Sequence, residues 1–417
     1  MNAISEKATK FIPYTLYLLA FVIPLWRVLA PPVIMLLCLL VFLSGSYKRF
    51  TPWMKSRPPA MLLALLYLAY VCGMLLTSDT NAGFRDLETK LSLFVLPLAI
   101  SLLLVHSTVS YRKILLLFSF CCFLILILGL IKASWVVWSY WNKAQGGWSA
   151  TDFLNHTGFF FGVELSAFMH PGYFSVYLVL CISFLLHAVY YKQFSGSHSG
   201  FFIFLAVFFS LGVFLLAARI GFVGMAFCWL IFIPAVLIRK GLYKLSVVSL
   251  LVLMGLGLAV YFGSAVVKSR IDQMISGLLS PATDKSATES TSVRFLVWKA
   301  SADLIADNWL TGVGTGDVKQ ELTRKYEELE MSGAFELKLN AHNQFLQTTL
   351  ALGILGGLLL VYLLGFALLK FKKGPARYFI FITAFFMLFE SFFEIQAGTV
   401  FFSFFYTLFA TDHGSQG

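Results

Sequence analysis

The sequence predicts an all-α polytopic membrane protein of about twelve transmembrane helices, with both termini cytoplasmic and one larger insertion on the opposite side. Three observations predict it. Hydrophobic residues make up 59% of the 417 and charged residues 12%, with a mean hydropathy of +0.83, which leaves too little polar surface to cover a soluble globule. Apolar runs recur at about the 20 residues a helix needs to cross the hydrocarbon core, rather than as the shorter alternating strands of a barrel. Basic residues crowd into alternate short loops, as cytoplasmic loops require.

The first run, 11–29, has no small-residue exit for cleavage and flows into Pro31-Pro32, so it is read as a retained span. The second, 31–46, is short. Next come 60–77, 86–106 and 112–135, then an outer segment, 136–169. Four further runs follow, 170–191, 200–218, 220–238 and 242–264, the middle two meeting at Ala217-Ala218-Arg219. A long polar interruption, 265–341, separates these from 341–370, which is long enough to tilt, and from 377–394 and 397–411. With no convincing repeat or low-complexity linker, residues 1–417 read as a single membrane domain carrying 265–341 between its ninth and tenth spans.

Lys48, Arg49, Lys55, Arg57, Arg112, Lys113, Lys192, Arg239, Lys240, Lys244, Lys370, Lys372, Lys373 and Arg377 fall on one side, which is therefore cytoplasmic. The other side, the insertion apart, holds only Arg27, Arg85, Lys90, Lys132, Lys143 and Arg219. Any chemistry in the insertion is then extracytoplasmic. The net charge of +11 is mostly this bias, and its expected partner is anionic membrane lipid. No basic tail or aromatic-interleaved strip suggests nucleic acid. The six cysteines all lie in apolar runs, which argues against disulfides and metal sites.

Polar residues at span ends carry the candidate chemistry. Arg219 stands between two apolar runs with no carboxylate near it in sequence; it either snorkels to the interface or takes an anion, for which phosphate fits. Arg294 lies in TSVRFLVWKASADLIADN, where Val293, Leu296, Val297, Ala300 and Leu304 recur at helical spacing behind a cap at Thr291 or Ser292. That is an amphipathic helix lying on the membrane, with Lys299 on its solvated face. Arg294 and Trp298 share a side of it, either as a cation–π pair or as a phosphate clamp beside a sugar-stacking ring.

His342, with Asn343, stands where the insertion enters a long apolar run. An imidazole there can face water and accept a hydroxyl proton near neutral pH, although a histidine at a span end can also be interfacial filler. His170 opens the sixth span with Tyr173 one turn on, as a helix cap or as cavity lining. Glu390 and Glu394 read as one helical turn apart near the outer end of the eleventh span, either orienting a histidine or binding sugar hydroxyls, or simply facing the interface.

Other signals are weaker. GVGTG, residues 312–316, follows no strand and precedes no GKS or GKT, so it reads as a tight turn rather than a nucleotide loop. DVKQELTRKYEELEMSG after it reads as a helix solvated all round. Trp135, Trp138, Trp141 and Trp148 form an interfacial belt, and His106, His187 and His198 carry no assignment. HExxH, GxSxG and paired metal-ligand motifs are absent, so neither zinc hydrolysis nor a serine triad is supported.

In order along the chain, AARIGFVG, RFLVWKASADLIADNWLTGVGTGD and AHNQFLQTTLALGILGG resemble the shared C-terminal region of the O-antigen ligase and polymerase superfamily, over about 205–370. The N-terminal half matches only in number and length of spans. The resemblance implies a bacterial inner-membrane glycosyltransferase whose active site faces the periplasm, with 265–341 as a periplasmic insertion. It implies a metal-independent, inverting transfer of a glycan from undecaprenyl diphosphate to an acceptor hydroxyl, with no cofactor. Arg219 and Arg294 would bind the diphosphate, and His342 would activate the acceptor.

A ligase uses a lipid A core sugar as acceptor, a polymerase another lipid-linked repeat, and a third kind of member a protein. The modest insertion and the lack of an added C-terminal domain lean towards the ligase. A reading of a different class is a lipid-linked oligosaccharide flippase or other transporter with Glu390, Glu394 and His170 as a proton relay.

Overall fold

The computed structural model describes residues 3–25, 28–50, 58–104, 109–143, 157–166, 168–193, 196–263, 268–269, 271–272, 275, 285–286, 291–371 and 374–411. Arg27, Lys55, Arg57, His106, Trp148, Lys372, Lys373 and most of the first part of the insertion lie outside the described residues. Among those described, all regular structure is helical and there is no strand.

The α-helices are α1 (Ala3–Leu25), α2 (Ala30–Leu43), α3 (Pro58–Gly73), α4 (Thr80–Lys90), α5 (Ser92–Leu103), α6 (Tyr111–Lys143), α7 (Gly162–Leu165), α8 (Pro171–Tyr190), α9 (Gly196–Leu216), α10 (Arg219–Arg239), α11 (Tyr243–Gly263), α12 (Thr291–Asp307), α13 (Val318–Glu328), α14 (Ser332–Leu337), α15 (Gln344–Lys370), α16 (Gly374–Met387) and α17 (Gln396–Thr411). Among the described residues, eight segments, in α1, α3, α6, α8, α9, α10, α11 and α15, are long and apolar enough to cross a membrane; α2 and α16 are apolar but shorter. The described cysteines are all free.

Two apolar runs differ from the sequence reading. The one placed at 86–106 is divided: α4 is polar and ends at Lys90, and α5 begins at Ser92 with 12 residues, about 18 Å of helix. The one placed at 377–394 ends as helix at Met387, and residues 388–395 are turns and bends before α17. Glu390 and Glu394 are therefore loop residues, not neighbours on a helix. An aromatic run, Phe385-Phe386, reads as continuous hydrophobicity in sequence, but the polar residues from Glu390 onward need partners that a straight helix would not offer.

The chain forms two compact units. One contains 1–19, 27–111 and 273–417; the other contains 20–26 and 112–272. In the first, α17 is the centre. Its residues from Gly398 to Thr411 are all buried, and Phe379 of α16 packs against Phe401, Phe402, Phe405 and Phe409. Helices α3, α5 and α15 complete this core. In the second, α8 is the centre, buried along nearly its whole length against α9 and α10.

Helix α13 corrects the expectation of a helix solvated all round. Val318, Leu322 and Tyr326 recur every four residues and are buried, so the charged sequence hides one apolar stripe. Tyr326 donates its hydroxyl to the Leu339 carbonyl at 3.2 Å, tying α13 to the approach to His342. Burial pushes the Tyr326 hydroxyl well above its usual pKa.

Candidate functional site

The GVGTG turn sets the frame of the site. Helix α15 is interrupted at Gly353, whose φ of 68° and ψ of −171° suit only glycine. The turn docks its backbone onto this break: Val313 N–H donates to Leu350 O at 2.8 Å, Gly314 N–H to Ala351 O at 3.2 Å, and Ile354 N–H to Trp309 O at 2.8 Å. Carbonyls and amides freed by the break are thus satisfied by protein backbone rather than left bare in an apolar setting. Beyond the turn, Thr315 donates to Tyr70 O at 2.6 Å, and the Asp317 carboxylate accepts from Ser78 N–H at 2.6 Å and Asp79 N–H at 2.8 Å. The motif is a structural staple joining α3, α4 and α15. It is the tight turn the sequence suggested, with a role that only the fold reveals.

This staple fixes the first turns of α15, which carry AHNQFLQ. Asn343 is the N-cap, accepting from Phe345 N–H at 2.9 Å and Leu346 N–H at 3.1 Å. A cap of this kind contributes about 1 kcal/mol. Its amide also donates to Leu388 O at 3.0 Å. Buried Gln344 accepts from Phe393 N–H at 2.6 Å and donates to Thr348, whose hydroxyl meets Tyr70 at 3.0 Å. His342 precedes the cap in left-handed backbone, with φ of 44°, and its N–H donates to Asn340 Oδ1 at 3.0 Å. A histidine held there is turned out of the helix rather than along it.

The 388–395 loop brings Glu390 to this ring. Glu390 Oε1 accepts from Arg294 Nη2 at 2.7 Å, and Glu390 Oε2 lies 3.4 Å from His342 Nδ1. Arg294 Nη1 also donates to Phe389 O at 2.9 Å, so its fork spans the side chain and backbone of one loop. The three side chains are partly exposed, at 25% for Arg294, 18% for Glu390 and 24% for His342, so a ligand can reach them. The 3.4 Å separation is long for a hydrogen bond, and catalytic contacts of this kind shorten when substrate closes the site.

Arg294 thus turns to the loop and not over Trp298, correcting the cation–π pairing expected from their shared helix face. Trp298 packs instead against Phe295 and Phe389, with ring centroids 5.4 and 6.1 Å away. Helix α12 is amphipathic as expected: Val293, Val297, Ala300 and Leu304 are buried and Lys299 is exposed. Its buried stripe faces protein, against α15 and α13.

Arg219, His170 and Tyr173 belong to the second unit. Arg219 is the first residue of α10, after Ala217 turns the chain with φ of 50°. His170 is the N-cap of α8, its Nδ1 accepting from Gly172 N–H at 3.2 Å, and Tyr173 meets its ring edge-on at 6.3 Å. Gly221 of α10 lies so close to Ser175 of α8 that an added Cβ would come within 2.7 Å of the serine Cβ. The two N-termini, with Arg219 and His170, therefore share one end of that unit. Glu394 pairs with Lys90 at 2.8 Å. Among the described residues no three His, Cys, Asp or Glu side chains are grouped to hold a metal ion.

The O-antigen ligase family model matches residues 204–361, a stretch holding Arg219, Arg294, the glycine staple and His342. This stretch carries the region shared by the O-antigen ligase and polymerase superfamily. No curated protein matches the chain. With the long apolar helices, the match supports a multi-pass membrane enzyme of the ligase and polymerase kind. Glu390, Glu394, Asp86 and Lys90 lie outside the matched stretch, and sequence reading either gave the glutamates a helical setting or passed over Lys90 as a loop cation. An Asp and a Lys four apart at the polar mouth of an apolar run, Asp86 and Lys90, was the available signal.

Proposed function

We propose that this superfamily member is an O-antigen ligase, transferring a glycan from undecaprenyl diphosphate to a sugar hydroxyl of the lipid A core on the periplasmic face of the bacterial inner membrane. The observation that carries the proposal is the Arg294–Glu390–His342 cluster: one carboxylate placed between a cation suited to diphosphate and an imidazole suited to a hydroxyl proton. With Nδ1 held towards Glu390, Nε2 is the nitrogen left for the acceptor.

In the reaction the acceptor oxygen bonds to the anomeric carbon as its proton passes to His342 Nε2. The bond between the anomeric carbon and the diphosphate oxygen breaks, and the electron pair leaves with the diphosphate. Attack from the face opposite the leaving group inverts the centre. Arg294 stabilises the charge that grows on the diphosphate, a role a fixed cation fills without rearranging at the moment of reaction. The donor's diphosphate linkage supplies the driving force.

Purified His342→Ala and Arg294→Ala variants, folded and supplied with polyprenyl-diphosphate glycan, should lose turnover by about 10²–10⁴-fold for the histidine. Wild-type rates in both would overturn the site. Turnover in detergent, with no gradient to drive it, is expected of an enzyme and not of a flippase. In a deletion strain, unattached polymer on a lipopolysaccharide gel supports the ligase; core carrying a single repeat would make the protein a polymerase.

A further inference from the structure

We infer that Lys90 is a positioning residue for the transfer site, acting through Glu394 to hold the loop that presents Glu390; this rests on the reading of the Arg294–Glu390–His342 cluster above. Lys90 is the last residue of α4, and its side chain is 1% exposed. An ammonium so enclosed needs opposite charge close by, because leaving it unpaired in an apolar interior costs several kcal/mol. Here it has two carboxylates. Asp86, one turn back on α4, pairs with it directly, and Glu394 Oε1 lies 2.8 Å away. The Tyr70 ring lies 5.0 Å from its nitrogen.

Asp86 alone would neutralise Lys90 within its own helix. Glu394 therefore adds something a local pair does not, a bond across 304 residues of sequence to the 388–395 loop. Thr399 reinforces the same junction by donating to Thr89 O at 2.9 Å. The loop is otherwise held from the opposite side: Asn343 takes Leu388 O, Arg294 takes Phe389 O, and Gln344 takes Phe393 N–H. Those partners belong to the site itself. Lys90 is an anchor that does not, and the residue it holds, Glu394, sits four residues beyond Glu390.

Catalysis of the proposed kind requires Glu390 to stay within reach of both Arg294 and His342, and displacement of about 1 Å costs on the order of 10²-fold in rate. Lys90 and Glu394 supply the constraint at the far end of the loop. The assignment predicts effects on kcat with little effect on donor binding, since neither residue contacts the cluster.

The test compares Glu394→Gln, Lys90→Met with Glu394→Gln together, and Lys90→Arg, in purified protein with polyprenyl-diphosphate glycan. Glu394→Gln keeps the Lys90–Asp86 pair and should stay folded, lose about tenfold or more in kcat, and leave KM for the donor within about twofold. Backbone hydrogen exchange should rise across 388–395 and stay unchanged in the first turns of α15. Lys90→Arg, which retains a cation for both carboxylates, should keep more kcat than the double variant, which leaves Asp86 without its cation. Wild-type kcat in Glu394→Gln, or unchanged exchange in 388–395, would overturn the assignment while His342→Ala remained inactive. If His342→Ala were itself fully active, the failure would lie with the transfer site instead. Should the double variant not fold, Glu394→Gln alone decides the matter by the same two readouts.

Discussion

Gly353→Ala isolates what the glycine staple contributes. A Cβ at Gly353 would lie 2.1 Å from Leu310 O and 2.4 Å from Leu310 C, and both are backbone atoms that cannot swing away as a side-chain tip could. The residue also has φ of 68° and ψ of −171°, a region that costs a non-glycine residue about 1–3 kcal/mol. Relieving the overlap means pulling the 309–314 turn off the helix, at the expense of the bonds from Val313, Gly314 and Ile354, each worth about 1 kcal/mol net. The sum is a destabilisation of about 4–6 kcal/mol. Gly365→Ala in the same helix is the reference: an added Cβ there meets nothing within 4 Å, and the change should be neutral or stabilising by up to about 1 kcal/mol. Unfolding in mixed detergent micelles titrated with SDS, followed by tryptophan fluorescence, measures both. A Gly353→Ala protein within about 0.5 kcal/mol of wild type would refute the staple.

Two further outcomes follow from single contacts. Arg294→Lys keeps the charge but cannot reach Phe389 O and Glu390 together, so turnover with the diphosphate donor should fall by about 10–100-fold, equivalent to one charge-assisted hydrogen bond, in a steady-state assay. Asp317→Ala leaves the amides of Ser78 and Asp79 without their acceptor and should cost about 2–3 kcal/mol in the same micelle titration, with Asp317→Asn losing less.

The sequence made the helical class legible because composition and run length report directly on burial in lipid. It also marked Arg294, His342 and Asn343, since charge and polarity at a span end stand out against an apolar background. What it concealed were the places where polarity and periodicity diverge. Leu91 continues the run placed at 86–106, yet α4 and α5 are separate helices, α4 ending at Lys90, whose ammonium is buried against Asp86 and Glu394. Val318, Leu322 and Tyr326 form a stripe too narrow to register among nine charged or amide neighbours, although it buries a whole face of α13. The partner of Arg294 lies 96 residues away, and no local pattern could pair them. Trp298, at helical spacing, is the nearer partner in sequence, yet the guanidinium bonds Glu390, because a carboxylate holds a guanidinium more strongly than a ring does when both are in reach.

Glu390 beside the cation meant for an anion poses an electrostatic question with a measurable answer. Its carboxylate pairs with Arg294 at 2.7 Å, which opposes diphosphate binding. In the proposed transfer, however, positive charge would appear on His342 as the hydroxyl proton arrives, and Glu390 Oε2 is already 3.4 Å from Nδ1. The carboxylate's attraction can then shift from Arg294 towards His342 just as negative charge grows on the leaving diphosphate. Two developing charges are served by one side chain, and the benefit falls in the transition state rather than in the bound ground state. Glu390→Gln, which preserves shape, should consequently lower kcat by about 10²-fold while KM for the donor stays level or falls, because Arg294 is no longer neutralised. The reverse pattern, a raised KM with kcat intact, would make Glu390 a donor-binding group and remove it from the proton chemistry.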